Sequence, residues 1–321
     1  MLDLALYIIP TPLGNTDDFT LRAIKILQQI NFIAAEDTRH SKPLITPINS
    51  NLQWISAHEH NENQAAEEII KILQSHQSVA LISDAGTPAI SDPGAKIVAK
   101  VRQAGFRIIP LPGACAAVTA LSAAGLANHL NSRFLFYGFL PTKNQQRLEI
   151  LNSLKTASTL NLELNQAIIF YESPHRIAET LQNLVEIFGR QNRSLTIARE
   201  LSKIFEQIVT LKINEVLQWF ESDKNHQKGE FVLILSADET EKFSEKFSEK
   251  NSEKNSEKNS QNLVENNFEN DLNKAFAFKF LAEFQKHQPK ELNLPPSKLC
   301  SLIAKITNVS KKDLYDYLIN L

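Results

Sequence analysis

Residues 83–94 form the segment of the sequence most suited to chemistry, Ser-Asp-Ala-Gly-Thr-Pro-Ala-Ile-Ser-Asp-Pro-Gly. The segment follows an apolar run at residues 79–82 and precedes a helical pattern that starts near Ala95. The segment contains two Asp, two Gly and two Pro, which is more turn-forming residues than a surface turn requires. Carboxylates among small residues at a strand end suit hydrogen bonds to a ligand with amino or hydroxyl groups. We therefore interpret the segment as a binding loop.

Two further loops follow apolar runs in the same way. Pro10–Asp18 follows residues 6–9 and lacks the glycine spacing of dinucleotide or nucleoside-triphosphate loops, so alone it is compatible with an ordinary turn. Residues 112–117, Pro-Gly-Ala-Cys-Ala-Ala, follow the run near Ile108 and are small enough for a ligand to lie against backbone amides. Cys115 has no His or Lys beside it in sequence, which favours a packed thiol over a nucleophile.

Four polar clusters also stand at the ends of predicted strands. They are Ala35–Ser41, His58–Glu62, Tyr171–Arg176 and Arg199–Glu206. The second reads His-Glu-His-Asn-Glu and lacks the i, i+4 histidine spacing of a helical zinc site, so we predict no metal. Each cluster alone is compatible with a surface loop of ion pairs. Their common position at the carboxyl ends of strands indicates that they face one cleft.

The segments between these clusters predict alternating strands and helices over residues 1–238. Apolar runs predict strands at 6–9, 32–35, 79–82, 108–109, 134–137, 167–171, 195–198, 206–211 and 231–235. Helical spacing occupies 19–30, 63–74, 95–104, 145–154 and 175–188. Such a pattern is typical of an α/β fold with a mostly parallel sheet covered on both faces. The polar stretch 126–133 divides an N-terminal α/β domain, 1–125, from a second α/β domain, 126–238.

Composition narrows the class of protein. The 321 residues allow about two domains with a sizeable core. Two cysteines cannot build a disulfide framework, which favours a reducing, cytoplasmic location. The chain has no apolar run of about 18 residues and no basic leader, so we expect neither a membrane span nor a signal peptide. A formal charge of -2 argues against coating nucleic acid by bulk electrostatics and leaves a local basic patch open.

The C-terminal part differs in composition. Residues 241–260 repeat a four-residue unit with almost no apolar content, which predicts a disordered, low-complexity linker over 239–267. Residues 268–321 predict a small helical module. Its apolar residues include Phe276, Phe280 and Phe284 at four-residue spacing, and Ser310 is placed to cap a last helix. The final two helices resemble a helix-turn-helix, with a packing cap or a dimer arm as an equally weighted alternative.

Taken together, the motifs closely resemble the ribosomal RNA small subunit methyltransferase I family of the tetrapyrrole-methylase superfamily. In order, they are PTPLGNTDDFTLRA, AAEDTRHS, HEHNE, LISDAGTPAISDPG, PLPGACAAVTAL, FYGFLP, YESPHR, ARELSKIFE and GEFVLIL, and they cover about residues 4–237. The resemblance implies a two-domain fold with a cofactor cleft between the domains, a homodimer, and S-adenosyl-L-methionine as cofactor. It also implies 2′-O-methylation of a cytidine ribose in the decoding region of small-subunit (16S) ribosomal RNA.

The same resemblance implies roles for individual residues. Cofactor contacts are expected at Pro12, Leu13, Asp84, Ala85, Thr87, Ala114, Cys115, Tyr171, Ala198 and Glu230. Contacts with RNA are expected at Arg39, His58, Lys143, Arg147, Arg176, Arg199 and Lys203. A ribose hydroxyl is a poor nucleophile, so a base would help, and the candidates are Glu172, His175 and Asp37. Glu172 is almost equally compatible with an ion pair to Arg176 one helical turn on.

Two other functions stay open at this point. One is a tetrapyrrole (porphyrin or corrin) C-methyltransferase on the same fold. The YESPHR motif and the absence of a GDP-type loop argue against it. The other is a non-enzymatic ribosome-binding protein with an inactive cleft, against which the intact SDAGTP and PGACAA loops argue.

Overall fold

The first of two sheets is wholly parallel. The computed structural model describes residues 2–126, 133–160, 164–239, 295–307 and 310–319. The strands of this sheet are β1 (Leu6–Ile8), β2 (Phe32–Ala35), β3 (Gln53–Ser56), β4 (Val79–Ile82) and β5 (Ile108–Pro110). They lie in the order β3-β2-β4-β1-β5, and every neighbouring pair is parallel. The predicted parallel arrangement is thus confirmed for this half of the chain.

Helices cover this sheet on both faces. They are α1 (Leu21–Leu27), α2 (Thr38–Ile45), α3 (Glu62–Gln74) and α4 (Ala95–Gln103). A fifth helix, α5 (Ala116–Ala123), follows β5. Leu27 of α1 belongs to the same buried cluster as Ile33, whereas Leu73 of α3 belongs with Leu81 on the opposite face. Because successive strand side chains point to opposite faces, burial on both faces explains why these strands are apolar throughout.

The second sheet is mixed, which corrects the prediction of a mostly parallel arrangement. Its strands are β6 (Phe134–Phe139), β7 (Ala167–Glu172), β8 (Ser194–Arg199), β9 (Gln207–Lys212) and β10 (Phe231–Leu235). The order is β6-β7-β10-β8-β9, and only β6 and β7 run parallel. An apolar run reports burial and carries no information on direction. The loop 200–206 between β8 and β9 is too short for the crossover that parallel neighbours need.

Three more helices accompany the second sheet: α6 (Asn144–Leu160), α7 (Ile177–Phe188) and α8 (Val216–Ser222). Leu181 and Phe188 of α7 pack with Phe170 in one buried cluster. The other face of the sheet packs on α5, where Ala117 and Ala120 join the cluster of Ile169 and Val232. A helix that follows the first sheet therefore covers the second, and both sheets belong to one compact unit. The predicted boundary near 126 lies between the two sheets in sequence.

A separate compact unit contains α9 (Pro296–Thr307) and α10 (Lys311–Ile319). Cys300 and Ile303 of α9 pack with Leu314 of α10. The backbone N–H of Asp313 donates to Ser310 Oγ at 3.1 Å, so the predicted N-cap of the last helix is confirmed. The predicted linker over 239–267 lies outside the described residues apart from Glu239, as do Phe276, Phe280 and Phe284. None of the helices in the described ranges is long and apolar enough to cross a membrane.

Candidate active site

The first sheet has a crevice at the carboxyl ends of β1 and β4. These strands are neighbours, but the chain leaves β1 toward β2 on one side and leaves β4 toward β5 on the other. Such a reversal opens a gap between the two loops that follow the strands, and ligands of open α/β sheets bind in that gap. The two loops are the segments that the sequence singled out, Pro10–Asp18 and residues 83–94.

Backbone pairing locks these two loops together. Thr11 and Gly86 exchange hydrogen bonds, each with an N–O distance of 2.9 Å. The Thr11 hydroxyl also donates to the carbonyl of Ser83 at 3.0 Å. Gly86 has a φ of +82°, and a Cβ there would lie 3.4 Å from Leu13 Cδ2. This left-handed conformation favours glycine, so the loop depends on glycine at this position.

A cavity of about 440 Å³ occupies the crevice and extends to the second sheet. From the first half of the chain it is lined by Leu13, Glu36, Asp84, Ala85, Gly86, Thr87, Ile90, Ser91, Asp92, Cys115 and Ala116. From the second half it is lined by Phe139, Tyr171, Glu172, Ser173, Pro174, Leu201, Glu230, Phe231 and Val232. The cleft between two α/β halves that the resemblance implies is therefore present.

Hydrogen bonds join the two halves beside the cavity. The Tyr171 hydroxyl of β7 accepts from the backbone N–H of Ala117 in α5 at 3.0 Å. Burial raises the pKa of Tyr171 above its ordinary value, so the hydroxyl stays protonated at neutral pH. Thr87 Oγ1 donates to the carbonyl of Ala114 at 2.8 Å, which ties the loop after β4 to the start of α5. These bonds fix the wall formed by Cys115 and Ala116.

The charge of the cavity wall is negative. Five carboxylates line it, those of Glu36, Asp84, Asp92, Glu172 and Glu230, and its described lining includes no Lys, Arg or His. Burial, together with the charges of Glu36 and Asp84, raises the pKa of Asp92 to about 7. Burial and the charge of Asp84 likewise raise the pKa of Glu36. This wall is suited to a ligand that carries positive charge and is unfavourable for an anion.

Glu172 is a buried carboxylate with several partners. Its Oε2 accepts from Thr180 Oγ1 at 2.6 Å, and its Oε1 accepts from the backbone N–H of Ser173 at 2.8 Å. Arg176 Nε lies 3.3 Å from Oε1, and Arg176 Nη2 donates to the carbonyl of Leu140 at 2.5 Å. The ion pair that the sequence left open as an alternative is thus present. Arg176 is directed to the backbone after β6, which leaves it poorly placed for an RNA contact.

The loop after β8 closes one side of the cavity. Lys203 Nζ lies 3.1 Å from Glu200 Oε1 and 2.9 Å from Glu230 Oε2. The Lys203 stem also lies directly against Gly14 in the loop after β1, where a Cβ would collide with it. The neighbouring Ser202 hydroxyl is hydrogen-bonded to Asp18. The loop therefore bridges the two halves of the site.

The expected cofactor residues divide into two groups. Leu13, Asp84, Ala85, Thr87, Cys115, Tyr171 and Glu230 line the cavity. Pro12, Ala114 and Ala198 do not, and Ala198 is fully buried inside the second sheet. Ala114 supports the cavity wall indirectly, because its carbonyl accepts the hydrogen bond from Thr87 Oγ1. Pro12 is also buried, so neither Pro12 nor Ala198 offers an accessible side chain to a cofactor in the cavity.

Two of the expected RNA contacts are corrected by their burial. Arg147 is 0% exposed and donates to Asn183 Oδ1 at 2.6 Å and to Glu179 Oε2 at 2.8 Å. Arg199 is buried and donates to the carbonyls of Lys228 and Phe205, each at 3.2 Å. Both guanidinium groups make hydrogen bonds inside the protein and are not accessible to RNA.

Other expected RNA and catalytic residues are accessible. Arg39 is 90% exposed, and His58, Lys143 and His175 are also exposed. Asp37 caps α2 through the backbone N–H of Arg39 and does not line the cavity. Hydrogen bonds from Arg39 lower the pKa of Asp37 to about 2, which makes it a weak proton acceptor.

Several lining residues were not among the expected site residues. They are Glu36, Gly86, Ile90, Ser91, Asp92, Ala116, Phe139, Ser173, Pro174, Leu201, Phe231 and Val232. Glu36 and Asp92 stand inside motifs that the sequence already showed at strand ends. Their sequence positions did not reveal that they face each other, because that requires the order of strands in the sheet.

The sequence matches known proteins over most of its length. Residues 5–217 match the model of the tetrapyrrole (corrin/porphyrin) methylases. A protein of Escherichia coli O157:H7 called ribosomal RNA small subunit methyltransferase I is 39% identical over 312 residues, covering 97% of this chain and 93% of its own. A protein of the same name from Vibrio cholerae is 45% identical over 230 residues, covering 72% of this chain and 76% of its own.

Solved structures share the fold. A cobalt precorrin-4 methyltransferase is 16% identical, with a TM-score of 0.52, covering 72% of this chain and 94% of its own. The methyltransferase CobJ is 18% identical, with a TM-score of 0.52, covering 73% of this chain and 94% of its own. At this identity the likeness concerns the fold alone.

Proposed function

The chain belongs to the ribosomal RNA small subunit methyltransferase I family within the tetrapyrrole methylases, and from that premise we propose that it methylates small-subunit ribosomal RNA. The reaction is transfer of a methyl group from S-adenosyl-L-methionine to the 2′-oxygen of a cytidine ribose in the decoding region of 16S RNA. The observation that carries the proposal is the acidic cavity at the carboxyl edge of the parallel sheet.

The residues of the cavity fit S-adenosyl-L-methionine. When bound, this cofactor supplies an activated methyl group on a positively charged sulfonium. A wall with five carboxylates and no described Lys, Arg or His suits that charge. The volume of about 440 Å³ lies within the range of about 300–1,000 Å³ that is usual for small-molecule sites. We assign its binding to Leu13, Asp84, Ala85, Thr87 and Cys115.

The negative wall also decides how RNA would approach. Phosphate groups are repelled from the cavity, so only the ribose of the target nucleotide enters it while the backbone stays outside. Exposed cations must then hold the neighbouring phosphates, and we assign this role to Arg39 and Lys143 because both side chains are exposed. His58 is also exposed and joins the proposed set. Lys203 is half-buried and paired with Glu200 and Glu230, so it would contact RNA only at the expense of those ion pairs. The chain has little net charge, so binding depends on this local group and on the shape of the ribosomal subunit.

The charge of the cavity wall also argues against the alternative function, a tetrapyrrole C-methyltransferase. Porphyrin precursors carry several carboxylate side chains, which would be repelled by the wall carboxylates that have no ion-pair partner among the described residues, those of Glu36, Asp84 and Asp92. A ribose hydroxyl is neutral and meets no such penalty. The wall therefore supports an RNA ribose over a polycarboxylate tetrapyrrole as the methyl acceptor.

Deletion of the gene tests the proposed function directly. We expect one 2′-O-methyl group to disappear from the small-subunit RNA and to return with the wild-type gene. Asp84→Ala should fail to restore it and should bind S-adenosyl-L-methionine at least tenfold more weakly by calorimetry. Asp3→Asn is the matched control, because Asp3 is exposed and pairs with Arg107 at the other end of the sheet. An unchanged methylation map after deletion would refute the function.

Partner and location follow from the same proposal. The partner is the small ribosomal subunit, which places the protein in the cytoplasm with bacterial ribosomes. A homodimer, as the resemblance implies, is tested by light scattering of the purified protein. A mass of one chain, which is 36.2 kDa, would refute the dimer.

A further inference from the structure

Two exposed apolar side chains stand on the wall of the cavity. Phe139, at the end of β6, is 50% exposed, and Ile90, in the loop after β4, is 41% exposed. Both residues line the cavity. A single apolar residue on a protein surface is ordinary, but two at the opening of one cavity indicate a surface for a ligand.

A close contact between β6 and the loop after β4 lies beside both side chains. Gly138 is buried, and a Cβ there would lie 3.2 Å from Ser91 Oγ. Gly138 directly precedes Phe139 in the sequence, and Ser91 directly follows Ile90. Phe139 from the second sheet and Ile90 from the first half of the chain therefore lie next to the same contact.

A β-bulge interrupts β6 just before Phe139. Phe136 pairs with Ile169 of β7, whereas Gly138 pairs with the next residue of β7, Phe170. Over this stretch β6 therefore contains one residue more than its neighbour. Gly138 has a φ of +79°, in the left-handed region that favours glycine. One extra residue reverses the face of the sheet to which the following side chain points.

The bulge turns Phe139 toward the cavity. Leu135 and Tyr137 pack against the buried cluster on the α7 side of the sheet, and regular alternation would place Phe139 with them. Phe139 instead pairs with Tyr171 and lines the cavity. The two rings are in contact, with centroids 5.6 Å apart and planes 69° apart. Because bulges re-aim side chains next to active sites, we interpret this ring as a surface held in place for a ligand.

We propose that the base of the target cytidine stacks on Phe139, with Ile90 as a second apolar contact. The inference rests on the proposed function and adds a substrate-binding residue to it. The glycosidic bond joins base and ribose directly, so a ribose that enters the cavity brings its base to the cavity opening. A base that leaves the RNA stack loses contact with its neighbours, and an aromatic ring replaces that contact. The base is neutral, so the acidic wall does not repel it as it repels phosphate.

The position of Phe139 favours the RNA base over the adenine of the cofactor. The residues that we assign to S-adenosyl-L-methionine all come from the first half of the chain, whereas Phe139 belongs to the second sheet. A small-molecule site buries about 70–90% or more of its ligand. Half of the Phe139 surface is open to solvent, which suits a base that stays attached to a large RNA outside the cavity.

Phe139→Ala tests the proposal, with small ribosomal subunits from the deletion strain as the substrate. We expect kcat/KM for the subunits to fall by about 5- to 150-fold, the loss typical of removing the aromatic partner of one stacked base. Calorimetry should show binding of S-adenosyl-L-methionine within threefold of wild type. Phe134→Ala is the matched control, because Phe134 is 45% exposed at the other end of β6 and is not among the lining residues. It should keep kcat/KM within twofold of wild type.

A second pair of variants separates stacking from a structural role and decides the question if Phe139→Ala folds poorly. Phe139→Tyr keeps a flat ring and should keep kcat/KM within about threefold of wild type. Phe139→Leu keeps apolar volume without a ring, and its kcat/KM should fall at least fivefold below that of Phe139→Tyr. Equal values for the leucine and tyrosine variants would mean that volume alone matters, and the proposal would be wrong.

Two results with Phe139→Ala would also overturn the proposal. One is a loss of kcat/KM smaller than about fivefold. The other is binding of S-adenosyl-L-methionine more than threefold weaker than in the wild type, which would assign the ring to the cofactor. Wild-type protein that methylates no small subunit would instead refute the proposed function, so the two failures are distinguishable.

Discussion

Glu62 Oε1 accepts a hydrogen bond from the backbone N–H of Gly94 at 2.8 Å, although the two residues are 32 positions apart in the sequence. The same oxygen lies 3.3 Å from the donating N–H of Lys96, and Lys96 Nζ lies 3.1 Å from Oε2. Glu62 opens α3 and Gly94 immediately precedes α4. One buried carboxylate thus caps the start of α4 and holds the end of the loop that carries Asp92.

Glu62→Gln should destabilise the protein. The substitution removes the negative charge from a buried acceptor that serves two backbone donors, and hydrogen bonds to charged groups contribute about 1.5–3 kcal/mol. We expect the free energy of unfolding to fall by about that amount in urea titrations at neutral pH. Glu68→Gln on the exposed face of α3 is the control and should stay within about 0.5 kcal/mol. Equal stability of the two variants would contradict this role.

The contribution of Glu62 should also depend on pH. Burial alone would raise its pKa, but hydrogen bonds from Gly94 and Lys96 outweigh burial, so the pKa lies below its ordinary value. A lowered pKa in the folded state stabilises the protein above the unfolded pKa and loses that effect as pH falls. The stability gap between wild type and Glu62→Gln should therefore be full at pH 7 and shrink below about pH 4.3. A gap that widens on acidification would refute this explanation.

The loops of the site were predictable because their turn-forming residues stand directly after apolar strands in the sequence. Gly86 and Asp84 stand in a segment rich in Gly and Pro directly after an apolar strand, and both line the cavity. The direction of the strands in the second sheet was not predictable in this way. Helix α2 contains Pro43 and was missed, because proline inside a helix is unfavourable and its pattern is obscured.

Buried arginines show a second limit of sequence reasoning. Arg147 looks like a surface cation, but its partners Asn183 and Glu179 stand on a different helix. No spacing along the chain joins them, so burial could not be seen. Asp92 is similar, since only the sheet order brings Glu36 and Asp84 to it. The sequence showed which charged residues are present, but it did not show the partners, distant in sequence, that determine what each residue does.

Arg147→Met and Lys143→Met should separate structural from RNA-binding cations. Arg147 is fully buried, so its loss leaves Asn183 without its donor and should lower the free energy of unfolding by about 1–3 kcal/mol. Lys143 is exposed and should change stability by less than about 0.5 kcal/mol. Binding to the small subunit should show the opposite order, with weaker affinity and a smaller salt slope for Lys143→Met. A reduced salt slope for Arg147→Met would contradict this assignment.

Gly113→Ala should impair the cavity through a steric clash. A Cβ there would lie 2.6 Å from Pro10 Cβ and 2.8 Å from Pro10 Cγ, and a proline ring cannot turn aside. The loops after β1 and β5 must separate, so we expect weaker binding of S-adenosyl-L-methionine together with lower stability. Gly105→Ala is the control, because its φ of +85° costs stability while no atom lies within 4 Å of the new Cβ. It should keep wild-type affinity in calorimetry, and equal losses of affinity in both variants would refute the steric explanation.

Glu172→Gln should separate an anchoring carboxylate from a catalytic one. Thr180 Oγ1 donates to Glu172 at 2.6 Å, and Arg176 pairs with it, so the carboxylate is held in place. The amide is nearly isosteric but loses the charge that Arg176 faces. We expect stability to fall by about 1.5–3 kcal/mol. We expect kcat to stay within about tenfold of wild type, because the Glu172 carboxylate is engaged by Thr180 and Arg176. Thr180→Val, which removes only the short hydrogen bond, should lower stability in the same direction and also keep the rate. A loss of kcat of about 100-fold or more in Glu172→Gln, with the rate retained in Thr180→Val, would instead assign the role of proton acceptor to Glu172.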